Sequence, residues 1–177
     1  MRMRIETEHL IIRNYTLADK EDLCEYMLQR VDAKFEAYPD FTKEKAEEEI
    51  KFRCGSDEFF AIELKEEQKV IGNVYLGKRE FHGKELGYVL NEHYHGKGYG
   101  SEAAKAVVTW AFQEGVHRIY AECAPENTPS WKMMEKIGMK REGHFIKNAT
   151  FRTDENGKPI YWDTYVYAVL NPAEVDK

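Results

Sequence analysis

Three alternate glycines near the middle of the chain form the pattern that is best suited to chemistry. Gly96, Gly98 and Gly100 follow an apolar segment at 85–90 that is typical of a strand, and they precede helix-forming residues that begin near Ser101. Glycine lets backbone N–H groups turn toward a ligand, and a helix start adds unpaired amides with a positive dipole end. The pattern therefore predicts a loop that binds an anion such as a pyrophosphate.

The spacing of these glycines differs from that of two common phosphate-binding motifs. A dinucleotide fingerprint reads Gly-x-Gly-x-x-Gly directly after a strand, and a P-loop has four residues between its first glycine and Gly-Lys-Ser or Gly-Lys-Thr. This chain reads Gly-x-Gly-x-Gly, and five residues, 91–95, separate the glycines from the strand. A nucleotide-dependent oxidoreductase is therefore an alternative that preferential binding of NAD would have to support.

A second group of candidate residues follows about 30 positions later. Asn127, Thr128 and Pro129 make a good helix start, with a capping side chain and a proline in the first turn, so this group could be purely structural. Ser130 and Glu122, the latter at the end of the preceding predicted strand, add a hydroxyl and a carboxylate. The same group could therefore contact a ligand and move a proton.

Together, the two segments resemble the motifs of one known family. Residues 95–100 resemble motif A of the GNAT superfamily of acyl-CoA N-acyltransferases, Arg/Gln-x-x-Gly-x-Gly/Ala, with His95 in place of the arginine or glutamine. Residues 126–139 resemble motif B, Asn-x-x-Ser/Ala followed by a helix that ends in Glu-Lys-x-Gly-Phe. The Asn-x-x-Ser sequence and the segment 9–19 are similar to the subgroup of ribosomal-protein N-terminal alanine and serine acetyltransferases.

The resemblance implies acetyl-CoA as the co-substrate. Backbone amides of the glycine loop would hold its pyrophosphate, and Asn127 would face the pantetheine or a bound water. An amide near Val89 or Leu90 would polarise the thioester carbonyl. The full set assigned to cofactor binding is Val89, Leu90, His95, Gly96, Lys97, Gly98, Tyr99, Gly100, Ser101, Asn127 and Lys132.

For the reaction, the resemblance implies direct attack of a neutral amine on the thioester, without an acyl-enzyme. Ser130 is the expected acid, because Met134 stands at the position of the family's usual tyrosine. Asn127 and Glu122 complete the expected catalytic set. The identity of the base stays open, and the alternatives to Glu122 are Glu85, Asp163, His95 and a relay of water.

The acceptor is expected to be a primary amine, either a protein N-terminus or a small molecule such as a polyamine or an antibiotic. An α-amine with a pKa of about 8 loses its proton more easily than a lysine at about 10.4. The loops around 35–41 and 151–161 are expected to carry the specificity. An alternative from another class is a regulatory CoA-binding protein without turnover.

The composition is that of a folded globule, with 42% hydrophobic and 13% aromatic residues. The 177 residues predict one domain, 1–177, as a monomer or a homodimer. The net charge of -6 disfavours a nucleic-acid partner, which a positive field would attract. No segment is apolar for long enough to predict a signal peptide or a membrane helix.

The cysteines and histidines do not predict a metal site. Cys24, Cys54 and Cys123 are far apart and form no CxxC pair, which predicts reduced thiols in a cytoplasmic protein. His93 and His95 could act as a His-x-His pair, but no third ligand lies nearby in the sequence. No metal is therefore expected.

Hydrophobic periodicity predicts the elements that must position these residues. The predicted fold class is α/β, in the sense of an α+β mixed sheet that is mostly antiparallel, with one parallel pair and helices on both faces. The resemblance implies that the parallel pair is splayed between residues 87–90 and 118–123. Strands are predicted near 9–13, 58–64, 69–76, 85–90, 118–123, 140–150 and 160–170, and helices over 16–31, 42–55, 98–115 and 129–137.

Overall fold

The computed structural model describes residues 3–35 and 37–174. Met1 and Arg2 lie outside the described residues. The start and the end of the expected 1–177 domain therefore lie outside them as well, as does the start of any signal peptide. No helix in the described part is long and apolar enough to cross a membrane. The strands are β1 (Arg4–Glu6), β2 (Leu10–Arg13), β3 (Phe59–Leu64), β4 (Lys69–Lys78), β5 (Gly83–Leu90), β6 (Arg118–Cys123), β7 (Lys140–Thr153) and β8 (Pro159–Leu170), and the helices are α1 (Lys20–Leu28), α2 (Ala46–Gly55), α3 (Tyr99–Gln113) and α4 (Thr128–Lys136).

The strands form one eight-stranded sheet in the order β1-β2-β3-β4-β5-β6-β8-β7. Neighbouring strands run antiparallel except for β5 and β6, which are parallel and are joined by α3 as a crossover helix. The predicted fold class is therefore confirmed. Strand β1 was not predicted, because three residues are too few to show a period of two.

The parallel pair separates after three residue pairs. Gly83, Lys84 and Glu85 pair with residues 118–120, but residues 86–90 and 121–123 do not pair with each other. Both strands continue on their other edges, where β5 pairs with β4 as far as Leu90 and β6 pairs with β8 as far as Cys123. The expected splay is thus present as a gap inside the sheet.

Helices cover both faces of the sheet, and each face has its own apolar core. On one face α3 buries Ala103, Ala104 and Val107 against β2 to β5, with α4 beside it. On the other face α1 and α2 bury residues that include Leu23 and Ile50. This arrangement leaves the splay with α3 and α4 on one side and the connection between α1 and α2 on the other.

The first helix is shorter than predicted. Residues 17–19 form a 3-10 turn, α1 begins at Lys20, and the side chain of Leu17 is 61% exposed. The cause is Asp19, whose carboxylate accepts a hydrogen bond of 2.7 Å from the amide of Thr16 and is held by Arg13 at 2.8 Å. This cap fixes a separate turn ahead of α1.

Candidate active site

The glycine loop adopts the backbone conformation that the sequence predicts. Gly96 and Gly98 have φ angles of 74° and 84°, and Gly98 directly precedes α3. A Cβ added at either residue would meet nothing within 4 Å, so the backbone conformation rather than crowding favours glycine there. A Cβ at Gly100 would lie 3.2 Å from the Leu90 side chain. The loop therefore presents uncovered backbone at a helix start.

Side chains of the glycine loop make mostly local contacts. His95 is exposed, and its Nε2 atom lies 3.1 Å from the carbonyl oxygen of Leu90. The Lys97 ammonium lies 5.2 Å from the centroid of the Tyr94 ring. Ser101 donates a hydrogen bond of 3.0 Å to the carbonyl of Gly98. Of the other residues assigned to the cofactor, Tyr99 packs partly against the core, and Val89 and Leu90 are buried at the end of β5.

A buried asparagine that the sequence reading did not single out holds this loop to α1. Asn91 has no exposed surface, and its side-chain amide donates a hydrogen bond of 2.7 Å to Glu25. Gln29, at the end of α1, donates to the Asn91 side-chain oxygen at 3.1 Å and accepts from the Glu92 amide at 2.9 Å. We call Glu25, Gln29 and Asn91 the α1 clamp. It fixes the turn between β5 and the glycines.

The second motif begins α4 without a side-chain cap. The Asn127 side chain makes no capping hydrogen bond, whereas its carbonyl accepts from the Ser130 amide at 3.0 Å. Ser130 is 3% exposed, and its Oγ atom is buried without a hydrogen-bond partner among the described residues. Lys132 is exposed, with its ammonium 5.8 Å from the Trp131 ring centroid. Ser130 thus carries a buried hydroxyl that the fold leaves unsatisfied.

A cavity of about 330 Å³ lies beside the end of β6 and the start of α4. Its walls include Glu122, Cys123 and Asn127, and residues of the β7–β8 hairpin together with residues 34, 35, 37 and 38 close its other sides. A hollow of about 600 Å³ between β1 and α3 contains none of the predicted site residues. We call the first cavity the β6 cavity. Two of the three predicted catalytic residues, Glu122 and Asn127, line it, whereas Ser130 does not.

Comparisons with known proteins agree with this arrangement. The family model described as an acetyltransferase (GNAT) domain matches residues 9–140. YnaD, an uncharacterized N-acetyltransferase of Bacillus subtilis strain 168, is 38% identical over 174 residues, which cover 95% of this chain and 97% of that protein. This chain belongs to the GNAT family of acetyltransferases.

Solved structures share the GNAT fold. A GNAT-family acetyltransferase from Bacillus anthracis has a TM-score of 0.83 and 38% identity, and the match covers 96% of this chain and 99% of that one. RimL, a ribosomal-protein α-N-acetyltransferase solved in complex with coenzyme A, has a TM-score of 0.82 at 18% identity over 97% of this chain and 100% of that one. The similarity to RimL concerns the fold. RimL is a member of the subgroup that the sequence resembles.

Glu122 is the carboxylate of this GNAT enzyme that is best placed to act as a base. It lines the β6 cavity, and its side chain makes no hydrogen bond or ion pair within the described part of the chain. Loss of solvent raises its pKa, nearby Glu85 raises it further, and Arg79 opposes both effects. A carboxylate with a raised pKa in a cavity is a typical candidate for a general base.

The other candidate carboxylates of this GNAT enzyme are occupied. Glu85 forms an ion pair with Arg79. Asp163 lines the β6 cavity but accepts from the Lys147 amide at 3.0 Å and lies 2.9 Å from Nε2 of His144. These two contacts hold the pKa of Asp163 below its ordinary value. The geometry therefore favours Glu122 over both.

Only some residues of the two loops that are expected to surround the acceptor line the β6 cavity. Phe35 and Tyr38 line the β6 cavity, as does Phe151 from the second loop region. Phe41 does not line it, because this side chain is buried in the core between α1 and α2. Arg152, which belongs to the second loop region, also lines the cavity from β7. No group of three metal-ligating side chains occurs among residues 3–35 and 37–174.

Proposed function

We propose that this GNAT protein is an acetyl-CoA-dependent N-acetyltransferase that acetylates the α-amine of a peptide or an amino acid in a ternary complex. The buried, unpartnered hydroxyl of Ser130 supports the proposal, because a fold rarely buries such a group without a ligand or a function for it. That hydroxyl lies one turn along α4 from Asn127, which lines the β6 cavity.

The chain's own residues fit the donor. The loop 96–100 offers amides ahead of α3, which suits a pyrophosphate. Lys97 in the loop, Ser101 in the first turn of α3 and the exposed Lys132 on α4 are the side chains proposed to bind phosphates. The unpaired edge of β5 at 86–90 would hold the pantetheine, with an amide near Val89 or Leu90 at the thioester carbonyl. The donor supplies the activated acetyl group, and the protein supplies its orientation.

Proton movement in the proposed reaction involves two side chains. Glu122 takes a proton from the incoming ammonium, directly or through water, so that a neutral amine attacks the carbonyl carbon. A new C–N bond then forms, the C–S bond breaks, and the second proton that the nitrogen loses passes to the departing sulfur, which leaves as the thiol of CoA. Ser130 donates a hydrogen bond to the departing thiolate, which needs only modest help because a free thiol has a pKa of about 8.5.

Calorimetric titration tests the donor assignment before any acceptor is known. We expect micromolar binding of acetyl-CoA and no response to NAD or ATP. Gly98→Glu is expected to abolish that binding, because a carboxylate in the loop conflicts with the pyrophosphate both sterically and by charge. Gly157→Glu is the matched control, since Gly157 also has a positive φ of 76° but lies in the β7–β8 turn.

Turnover separates the enzyme from a CoA-binding protein without activity. Release of CoA is measured across a panel of peptides, amino-acid amides and polyamines. Acetylation of α-amines supports the proposal. Acetyl-CoA binding without CoA release on any amine would identify the non-catalytic binder instead, and retained binding by Gly98→Glu would contradict the role of the loop.

A further inference from the structure

Four of the residues that line the β6 cavity are aromatic, and four others are charged. Phe35 and Tyr38 come from the segment after α1, Phe151 from β7 and Trp162 from β8. The Phe35 and Trp162 rings meet edge to face, with centroids 6.3 Å apart at 75°. Arg152 donates a hydrogen bond to the carbonyl of Ala33, which ties this segment to β7. The aromatic wall is therefore assembled from three separate parts of the chain and held together.

One of these aromatic residues is left open to solvent. Phe151 is 77% exposed although it lines the cavity. An exposed aromatic ring at a cavity rim is stabilised when an apolar group covers it, because burial removes apolar surface from water. The wall therefore fits an acceptor with a large apolar side chain better than a small or highly charged one.

The wall also contains an unsatisfied hydrogen-bond donor. The indole Nε1 of Trp162 is buried and has no hydrogen-bond partner among the described residues. An indole N–H can only donate, so its partner must be an oxygen or another acceptor atom. A carbonyl next to the acceptor amine supplies such an atom, whereas a polyamine does not.

The size of the cavity limits the acceptor further. A volume of about 330 Å³ is at the lower end of ligand pockets, which typically span about 300–1,000 Å³. It suits one bulky residue with its backbone. It does not suit a large multi-ring molecule.

We propose that the acceptor is the α-amine of an aromatic or bulky aliphatic residue whose adjacent carbonyl accepts a hydrogen bond from Trp162. This inference rests on the proposed function and narrows its substrate class. Glu122 lies at the same cavity to receive the proton of that amine. A free amino acid and the first residue of a peptide share this chemistry.

The first test compares peptides of equal length that differ only in their first residue. Free phenylalanine is assayed beside them, to show whether the acceptor amine comes from a peptide or from a free amino acid. We expect kcat/KM for peptides beginning with Phe or Leu to exceed that for Ala or Ser at least tenfold, as pockets that recognise added methylenes discriminate by about 10- to 200-fold. Equal or better turnover of Ala or Ser peptides overturns the inference and leaves the proposed function intact. No turnover of any amine would refute both, and acetyl-CoA binding would then identify a binder.

Two variants assign the preference to the wall. Phe151→Ala should reduce the Phe-over-Ala preference at least fivefold, while the dissociation constant for acetyl-CoA stays the same. Phe145→Ala is the matched control, because Phe145 lies on the same strand and is 50% exposed but does not line the cavity. An unchanged preference in Phe151→Ala contradicts the inference.

The carbonyl contact is tested with Trp162→Phe, which keeps an aromatic ring and removes the N–H. The preference for phenylalanine amide over phenethylamine, which has no carbonyl, is measured in both proteins. Because phenethylamine is also the more basic amine and is deprotonated to a smaller extent, only the difference between the two proteins reports the hydrogen bond. Trp162→Phe should lower this preference about tenfold, the effect of roughly 1.4 kcal/mol, but keep the preference for Phe over Ala peptides. An unchanged preference for the amide in Trp162→Phe overturns the proposed hydrogen bond.

Discussion

Ser130 poses the main question at the scale of single residues. Leaving a buried hydroxyl unsatisfied typically destabilises a fold by about 1–3 kcal/mol. The hydroxyl of Ser130 is in this state although it lies in the first turn of α4, where a solvent-exposed position would avoid the penalty. A ligand atom that completes its hydrogen bond explains why such a group is kept.

Ser130→Ala is therefore expected to lower kcat by about 10²-fold, the lower end of general-acid effects. The free energy of unfolding should stay the same or rise, since the substitution removes an unsatisfied polar group. Steady-state kinetics and urea unfolding measure the two effects. Ser56→Ala, whose hydroxyl accepts from the Glu58 amide, is the control. Wild-type kcat in a folded Ser130→Ala protein would show that the residue is only structural.

Glu122→Gln should separate activity from stability. The variant is expected to lose the acidic limb of the pH profile of kcat/KM, because activity of the wild type falls as Glu122 becomes protonated. The pKa of folded Glu122 lies above its ordinary value of 4.5. The ionised carboxylate is therefore disfavoured in the folded state at neutral pH, and this penalty disappears below the unfolded pKa.

Thermal unfolding of the same variant provides the second measurement. Glu122→Gln should raise the melting temperature at pH 7, and this difference should disappear as the pH falls well below 4.5, where the carboxyl group is protonated in both states. A variant that retains the acidic limb would assign the proton transfer to water or to another group. A melting temperature that falls at pH 7 would show that Glu122 makes a stabilising contact.

At the scale of elements, the α1 clamp connects the acceptor side of the molecule to the donor side. Helix α1 ends at Gln29, next to the segment that walls the β6 cavity, and the same Gln29 binds Asn91 ahead of the glycine loop. Because Asn91 is completely buried, water does not compete for its hydrogen bonds in the folded protein. The clamp should therefore set the position of the loop amides.

Asn91→Ala is expected to raise the dissociation constant for acetyl-CoA about tenfold, the effect of roughly 1.4 kcal/mol that one or two lost hydrogen bonds would have. Calorimetric titration measures it. Asn148→Ala, at an exposed position on β7, should bind like the wild type. If Asn91→Ala folds and binds acetyl-CoA normally, the loop holds its own conformation without α1.

The sequence predicted those elements whose signals are local. Alternating apolar residues located β3, β4 and β5, and the glycine spacing located the loop before α3, because both patterns lie within a few consecutive residues. The α1 clamp had no such signal, since Gln29 and Asn91 are 62 positions apart. The aromatic wall of the β6 cavity likewise joins Phe35 to Trp162, and only the tertiary fold brings them together.

At the scale of the whole molecule, a buried arginine holds α2 to the sheet. On this mostly charged helix Phe52 is 58% exposed, whereas Arg53 is only 1% exposed. The guanidinium donates to Glu49 at 2.7 Å and to Tyr26 and Asn73 at 2.9 Å each. It thereby links α1, α2 and β4.

Removing Arg53 should affect stability more than any exposed charge on the same helix. Arg53→Ala leaves a cavity and strands polar partners in the core, so the free energy of unfolding should fall by about 3–5 kcal/mol. Urea unfolding measures this loss.

Lys51→Ala is the matched control, because the Lys51–Glu47 pair has side chains that are 61% and 57% exposed and should contribute less than about 1 kcal/mol. Acetyl-CoA binding by the folded fraction of Arg53→Ala should persist, since the hydrogen bonds of Arg53 involve no residue of the glycine loop. Equal losses in the two variants would mean that apolar packing alone, and not this buried guanidinium, holds α2 on the sheet.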